Sequence, residues 1–216
     1  MPLIVFEGID GSGKSAQIEM LADSLRSNGI PLIELSDRTR PVRSLYRNLT
    51  ASEETFPDPL TSVCLGLADI ASQVGALHRN SPVFFLAHRY IYSHLADAFA
   101  LSLDLASTLV EAAVTLFPCP DLVVHVDTSP DVAWRRKGTC TLAEAGGPSL
   151  VRQHVSLMRS FLAFQSAVRD AYTHLLQPEV VKVAVLTVDG SKPREDVHRT
   201  IMSHPLMAGT TRRKAC

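Results

Sequence analysis

Five short apolar runs alternate along the chain with longer segments in which apolar residues recur every three or four positions. Short runs that are apolar on both faces are typical of buried strands, and the longer spacing is typical of helices. The predicted strands are Leu3–Phe6, Ile30–Leu35, Val83–Ala87, Leu122–Asp127 and Val180–Val188. Because these strands alternate with helices, we predict an α/β fold with a five-stranded parallel sheet flanked by helices on both faces.

Helical spacing separates these predicted strands. Ile18, Leu21 and Leu25 fall on one face of the first predicted helix, and a stop signal follows at Gly29. The other predicted helices cover residues 41–49, 60–77, 91–103, 105–117, 150–176 and 192–203. We expect one domain over residues 1–216, with a mobile, glycine-containing segment at 138–148 and a flexible tail at 205–216.

The composition excludes several classes of protein. The chain has 21 Lys and Arg against 22 Asp and Glu, for a formal net charge of -1, so nucleic acid is not expected as a partner. Its four cysteines are scattered, which argues against a metal knuckle or a disulfide framework. The longest apolar segment, 98–117, contains Asp104 and Glu111, and the first strand leaves no room for a signal peptide. We therefore expect a cytoplasmic protein with no membrane contact.

The strongest motif lies between the first predicted strand and the first predicted helix. Residues 8–15 match G-x-x-x-x-G-K-[ST], and we call them the phosphate loop. In such a loop the glycines let backbone N–H groups converge on nucleotide phosphates. Lys14 would reach the β and γ oxygens, and Ser15 would ligate Mg²⁺. The following helix directs its positive end at the same anion.

Basic residues cluster at four further places. Asp37–Pro41, His88–Tyr90 and Asp189–Ser191 follow predicted strands, and Arg135–Lys137 precedes the glycine-containing segment. Parallel sheets bind ligands at the carboxyl ends of their strands. Because phosphoryl transfer between two anions needs this much positive charge, the joint placement favours a kinase over a solvated surface.

These motifs, in this order, resemble the thymidylate kinase family over nearly the full length of the chain. Phe6–Ser15 is similar to that family's F-E-G-x-D-G-x-G-K-[ST], and His88–Ser93 is similar to D-R-Y-x-x-S. Arg135–Lys137 resembles the start of the family's lid, which would cover about 137–149. Residues 164–172 and 189–193 resemble the helix after the lid and the turn beside the donor adenine.

The resemblance implies a P-loop kinase fold, ATP and Mg²⁺ as cofactors, and a homodimer formed through the helices at 60–77 and 98–117. The implied donor and metal residues are Gly8, Asp10, Gly11, Ser12, Gly13, Lys14, Ser15 and Ser191, with Ser15 on the metal. The implied acceptor residues are Asp10, Arg38, Gly66, Ile70, His88, Arg89, Ser93 and Asp97. The implied catalytic residues are Lys14, Arg89, Arg135 and Arg136.

The chain departs from the family pattern mainly on the acceptor side. Gly66 stands where the family has a base-stacking phenylalanine, and Ile70 where it has a base-contacting arginine. Asp97 takes the place of a tyrosine that packs on deoxyribose, and the lid is nearly free of basic residues. His88 replaces an aspartate near the metal. The donor half of the site is therefore kept, whereas the acceptor half is changed.

Three functions remain open from the sequence. The first is an ATP- and Mg²⁺-dependent kinase that phosphorylates a nucleoside monophosphate or deoxynucleoside monophosphate to the diphosphate. The second is a kinase with the same chemistry that acts on another phosphorylated small molecule. The third is a nucleotide-binding regulatory protein with impaired turnover, which His88 alone motivates. His88 could weaken the metal site, act as a base near neutral pH or be a bystander, and Glu7, Asp10 or Asp127 could support the metal.

Overall fold

The computed structural model describes residues 2–35, 41–74 and 84–208. Five parallel strands form one sheet in the order β2-β3-β1-β4-β5. The strands are β1 Leu3–Glu7, β2 Leu32–Leu35, β3 Phe84–His88, β4 Leu122–Asp127 and β5 Val185–Asp189. This sheet confirms the predicted α/β fold, and it places β1 at the centre with the ends of β3 and β4 on either side.

Ten helices connect and cover the strands in the described residues. They are α1 Lys14–Ser27, α2 Pro41–Leu49, α3 Pro59–Val74, α4 Ile91–Ala100, α5 Ala106–Leu116, α6 Pro130–Lys137, α7 Pro148–His154, α8 Leu157–Leu175, α9 Arg194–Met202 and α10 Pro205–Ala208. Among these helices, none combines the length and the apolar character that crossing a membrane requires.

The hydrophobic core has two layers because successive strand residues face opposite sides of the sheet. Val5 of β1 contributes to the layer that holds α4 and α8, with Leu95 and Phe161 among its buried members. Phe6 contributes to the layer that holds α1 and α9, which includes Leu21. Burying each such side chain contributes about 1.5–3 kcal/mol, so both layers fix the loops at the carboxyl edge of the sheet.

The predicted strand at 180–188 is wrong in its first half, since β5 begins at Val185. The predicted helix at 150–176 is also wrong, because it is two helices that meet at Val155. Val155 is 87% exposed and has a φ of 61°, which few β-branched residues adopt. The hydroxyl of Ser156 then accepts a hydrogen bond from the Arg159 N–H, which caps a new helix.

Three further differences lie in the shorter helices. Helix α6 was not predicted, although Ser129 caps it by accepting a hydrogen bond from Val132 N, with Pro130 as its first residue. The tail predicted as flexible contains α10, where Met207 is buried against the sheet layer of α1 and α9. The predicted helix at 91–103 ends earlier, at Ala100.

Candidate active site

The phosphate loop turns tightly between β1 and α1. Gly8 has a φ of 137°, and a Cβ atom there would lie 2.5 Å from the carbonyl oxygen of Val126. Gly11 has a φ of 82°, and a Cβ atom there would lie 2.8 Å from the carbonyl oxygen of Ala133. Only glycine fits both the backbone conformation and the close approach of β4 and α6. The loop is therefore held against its neighbours with its N–H groups at the start of α1.

Lys14 is buried at the first position of α1 and folds back over the loop. Its Nζ atom donates hydrogen bonds to the carbonyl oxygens of Gly8, at 2.7 Å, and Ile9, at 2.6 Å. Burial, together with the positive charge of Arg89, lowers the pKa of Lys14 to about 7. A bound phosphate would add negative charge next to this buried ammonium group and raise its pKa again, so the site is suited to an anion.

Ser15 and His88 meet beside the loop. The Nε2 atom of His88 lies 3.0 Å from Oγ of Ser15. Burial, with the charges of Arg89 and Lys14, lowers the pKa of His88 to about 3, so the imidazole is neutral. In the tautomer protonated at Nδ1, His88 accepts the Ser15 proton and leaves the hydroxyl lone pairs free. The Ser15 hydroxyl is therefore an oxygen that would hold Mg²⁺, and the ion would supply positive charge next to the loop.

The three carboxylates expected to support a metal are already paired. Glu7 is 0% exposed and accepts hydrogen bonds from Tyr90 N at 2.8 Å and Tyr172 Oη at 2.9 Å; burial raises its pKa. Asp127 accepts two bonds from Arg169, at 2.5 and 2.8 Å.

Asp10 forms an ion pair with Arg89; although burial raises its pKa, Arg89 and Lys14 together lower it to about 2. Within the part of the chain that the structure describes, no group of three or more His, Cys, Asp or Glu could hold a metal.

Arg89 follows β3 directly and is held in place by buried partners. Its φ is 70°, and its guanidinium bonds Asp10 of the loop and, at 3.0 Å, Oγ of Ser93. Ser93 is 1% exposed and also bonds Glu7 and Tyr172 Oη, the latter at 2.9 Å. Ser93 therefore orients Arg89 and does not itself face an open cavity.

The three cations of α6 have different surroundings. Arg136 donates to the carbonyl oxygens of Ser12, at 3.2 Å, and Gly190, at 2.7 Å. Arg135 is exposed and bonds the carbonyl oxygen of Asp131 in its own helix. Arg136 thus joins the phosphate loop to the turn after β5, whereas Arg135 bonds only its own helix among the described residues.

Lys137 also lies at the loop, although the sequence analysis named it only within the Arg135–Lys137 cluster and gave it no role of its own. Its Cδ atom lies 3.0 Å from the position of a Cβ atom on Gly11, and its Nζ atom bonds Glu144 at 2.9 Å. The positive charge of Lys137 also acts on Asp10 and Lys14. Its place in the Arg135–Lys137 run was the only available signal, because the helix that points it at the loop was not predicted.

A small cavity of about 250 Å³ lies next to the loop on the β5 side. Its lining includes Gly13, Gln17, Arg136 and Gly190. A Cβ atom on Gly190 would overlap Thr128 Oγ1 and lie 2.9 Å from the Ser12 carbonyl oxygen, so only glycine lets β5 come this close. Ser191 is exposed, and its hydroxyl donates a hydrogen bond to the Asp189 carboxylate at 2.5 Å. It does not line this cavity.

Gln165 of α8 joins the loop to the segment after α6. Its Oε1 atom accepts a hydrogen bond from Asp10 N at 3.1 Å, and its Nε2 atom donates to the Glu144 carbonyl oxygen at 2.7 Å. Ser160 donates from the same helix to the Ala145 carbonyl oxygen at 2.7 Å. Helix α8 therefore fixes the lid segment against the loop.

A larger cavity of about 750 Å³ lies beside α3 and α4, and the charge of Arg89 acts on two of its lining residues, Tyr46 and Asp97. Its walls come from the start of α3, the end of α4 and residues 143–152. Tyr46, Phe56, Asp97 and Phe164 are among its lining residues. Burial raises the pKa of Asp97 to about 7. The volume suits a small organic ligand with apolar surface and a few polar groups.

The family comparison decides the class of this site. The family model described as thymidylate kinase matches residues 6–201. A thymidylate kinase of Halothermothrix orenii is 31% identical over 206 residues, which cover 92% of this chain and 93% of the relative. This chain belongs to the thymidylate kinase family. A thymidylate kinase of Desulfotalea psychrophila is 35% identical over 144 residues, which cover 62% of this chain and 67% of the relative.

The fold is also similar to that of a solved structure. A thymidylate kinase structure from Candida albicans superposes with a TM-score of 0.75 at 19% identity and covers 97% of this chain and 92% of that one. This likeness supports the P-loop kinase fold alone. The family membership shows a kinase, a nucleoside monophosphate phosphotransferase.

Two residues of this thymidylate kinase family member that were expected at the acceptor lie away from the larger cavity. Ile70 is buried in the core, and Gly66 faces α4 with the ring of His94 against it. Of the expected acceptor residues, Asp97 lines that cavity, whereas Arg38 lies outside the described residues. His94 was missed because a sequence pattern does not show which side chain fills the space over a glycine.

Proposed function

We propose that this protein transfers the γ-phosphoryl group of ATP to the phosphate of a nucleoside monophosphate in the presence of Mg²⁺. The observation that supports it is the placement of cations on two sides of one loop. Lys14 lies in the loop itself, and Arg136 lines the small cavity beside it. Arg89 pairs with Asp10 from the end of β3, and its charge acts on Asp97 in the wall of the large cavity. Two separately held anions need two such sets of charge.

The donor phosphates would occupy the loop, and the adenosine end would occupy the small cavity. Lys14 would exchange its bonds to the Gly8 and Ile9 carbonyl oxygens for bonds to phosphate oxygens. The Ser15 hydroxyl would hold Mg²⁺, which supplies positive charge between the β and γ phosphates. Ser191 stays a prediction for the donor site.

The acceptor phosphate would bind Arg89 in exchange for part of its pairing with Asp10. An oxygen of that phosphate then forms a bond to the γ phosphorus while the bond from phosphorus to the β–γ bridging oxygen breaks. The bridging oxygen keeps the electron pair, so the products are ADP and a nucleoside diphosphate. Arg136 and Lys137 lie close enough to the loop to stabilise the charge on the transferred group.

The same proposal makes dTMP a poor acceptor. His94 fills the space over Gly66, Ile70 is buried, and Asp97 places a carboxyl group in the wall of the large cavity. These features also favour the second candidate, an acceptor that is a different phosphorylated small molecule.

A coupled ADP-release assay with ATP and Mg²⁺ against a panel of monophosphates tests both candidates. The panel should contain dTMP, the other common nucleotides in their ribose and deoxyribose forms, and sugar phosphates. We expect turnover with a nucleotide other than dTMP. Turnover with sugar phosphates alone would replace the first candidate by the second, and no turnover with any acceptor would leave a nucleotide-binding regulator. If dTMP gave the highest kcat/KM, the altered acceptor pocket would be refuted.

A cytoplasmic homodimer belongs to the same proposal. The end of α5 exposes Val114 and Leu116, the latter 75% exposed, and the start of α3 exposes Leu60. Exposed apolar groups of this kind are typical of contacts between protomers. Sedimentation equilibrium should give a mass of two chains, and Leu116→Glu should shift it toward one.

A further inference from the structure

A third cavity, of about 260 Å³, lies between the start of α4, the end of α5 and residues 180–183, which precede β5. Its wall shares no residue with the walls of the two cavities described above. The wall is apolar except for Tyr92, Cys119 and Lys182, and Lys182 is exposed to solvent. The cavity is therefore a small, mostly apolar space outside the candidate active site.

The hydroxyl of Tyr92 has no hydrogen-bond partner among the residues that the structure describes. Tyr92 is only 2% exposed, and it lines the third cavity. The neighbouring Tyr90 shows the usual arrangement, because its hydroxyl donates to the carbonyl oxygen of Pro118 at 2.8 Å. Buried polar groups normally have a partner of this kind. A ligand in the cavity with an acceptor oxygen would give the Tyr92 hydroxyl the partner that it lacks.

Cys119 brings a thiol to the same wall. It is a free, exposed cysteine, and its Sγ atom contacts the carbonyl oxygen of the adjacent Pro120 at 3.7 Å. Burial, followed by the negative charge of the Cys119 thiolate, raises the pKa of Tyr92, so the hydroxyl stays a hydrogen-bond donor at neutral pH. A thiolate is a nucleophile. The wall thus combines a nucleophile with a hydrogen-bond donor.

The size and the polarity of the cavity limit the ligand. Pockets that hold drug-sized ligands have volumes of about 300–1,000 Å³, so a cavity of about 260 Å³ suits a smaller molecule. Burying an unpaired charge is costly, so the apolar wall favours an uncharged ligand. An α,β-unsaturated carbonyl compound has an apolar body, an acceptor oxygen for Tyr92 and an electrophilic carbon for Cys119.

We propose that the third cavity is a modification site at which Cys119 captures small, uncharged α,β-unsaturated carbonyl compounds. The compound first binds reversibly, with its apolar body in the cavity and its carbonyl oxygen accepting a hydrogen bond from Tyr92. The Cys119 thiol gives its proton to water, and the thiolate sulfur forms a bond to the β carbon while the carbon–carbon π bond breaks. The electron pair moves to the carbonyl oxygen, where the Tyr92 hydroxyl stabilises the enolate. The α carbon then takes a proton from water.

N-ethylmaleimide is the probe, because it is small and uncharged and has a carbon–carbon double bond next to carbonyl groups. The full chain is treated with increasing concentrations, and the adducts at Cys119 and Cys64 are quantified by peptide mass spectrometry. Cys64 is the internal control, since it is also a free, exposed cysteine but lines none of the three cavities. We expect the rate at Cys119 to saturate with concentration, because binding precedes the reaction, whereas the rate at Cys64 rises linearly.

Tyr92→Phe keeps the ring and removes only the hydroxyl. We expect it to lower the rate at Cys119 by about 2- to 10-fold at low probe concentration and to leave the rate at Cys64 unchanged. The variant should fold, because no described residue loses a hydrogen bond, and thermal unfolding checks this. Iodoacetate is the matched reagent, because it carries a charge and reacts by displacement. It should modify Cys119 at the same rate in the wild type and in Tyr92→Phe.

A linear rate at Cys119 that equals the rate at Cys64 would overturn the proposal, because the thiol would then be exposed without a ligand site beside it. An absence of adduct at Cys119 would overturn it as well. Saturation that stays unchanged in folded Tyr92→Phe would overturn the role of the hydroxyl. The ADP-release assay tests the proposed kinase function separately, so neither result decides the other.

Discussion

His88 and Ser15 form a 3.0 Å contact that joins the end of β3 to the first turn of α1. The contact places a neutral imidazole behind the one hydroxyl that fits a Mg²⁺ ion. This geometry makes His88 a candidate for positioning Ser15, and burial, which lowers its pKa to about 3, argues against a base that ionises near neutral pH.

We expect His88→Asp to lower the Mg²⁺ concentration for half-maximal activity, because a carboxylate adds a hard oxygen near the metal. His88→Ala should raise that concentration, because the Ser15 hydroxyl is then free to rotate. Initial rates over a Mg²⁺ titration at saturating ATP measure both. Identical titrations for the two variants and the wild type would show that His88 is a bystander.

We expect Lys14→Ala to lower kcat by about 100-fold or more, because the lysine holds the charge that develops on the phosphates. The folded state should keep its stability, because the hydrogen bonds of Lys14 go to its own loop. ADP release and urea unfolding measure the two quantities. Lys182→Ala is the matched control on an exposed lysine, and a Lys14 variant as active as this control would refute the assignment.

Arg89→Ala should raise the KM for the acceptor and lower kcat, with little effect on ATP binding. Losing a charge-assisted bond to an anion costs about 1.5–3 kcal/mol, which corresponds to about 10- to 150-fold in affinity. Arg135→Ala removes an exposed arginine that bonds only its own helix among the described residues, so it should change both constants by less than about twofold. Calorimetry with ATP tests the separation of the two sites. An equal loss of ATP affinity would place Arg89 in the donor site.

Asp97 should make the protein less stable as the pH rises from about 4 to 7. Its pKa is raised by burial from 3.8 to about 7, so the folded state binds this proton more tightly than the unfolded chain does. The stabilisation is complete below about pH 4 and is lost as the pH rises to 7. Asparagine does not ionise, so Asp97→Asn removes this loss. The free energy of unfolding of the variant, relative to that of the wild type, should rise by about 1–4 kcal/mol between pH 4 and pH 7.

Urea unfolding of both proteins at several pH values measures the difference. Asp104→Asn, which changes an exposed acid in the turn after α4, serves as the control and should show a constant difference from the wild type. A constant difference for Asp97→Asn as well would show that the carboxyl group has an ordinary pKa.

The sequence was sufficient for the sheet and the phosphate loop because both depend on local patterns. Buried strands are short apolar runs, and Gly8 to Ser15 is a contiguous motif. The break at Val155 was not visible, because helical spacing continues across it and only the backbone turns.

The acceptor half of the site could be predicted only in part. Gly66, Ile70 and Asp97 were recognised as departures, but the structure alone shows that His94 fills the space over Gly66. Lys137 and Gln165 lie in segments that the sequence analysis named, but their contacts with the loop were not predicted, since they depend on how α6 and α8 pack against it. Which side chains meet across two helices is a tertiary property that spacing within one helix does not contain.

The two hydrogen bonds of Gln165 tie the phosphate loop to the segment at 138–148. A single amide on α8 sets the spacing between Asp10 and Glu144, and α4 makes no contribution to that link. Substitutions on α3 and α4 can therefore change the lining of the large cavity while the two hydrogen bonds of Gln165 stay in place. Such a separation would let a few substitutions change the acceptor while the residues that hold the donor phosphates stay in place.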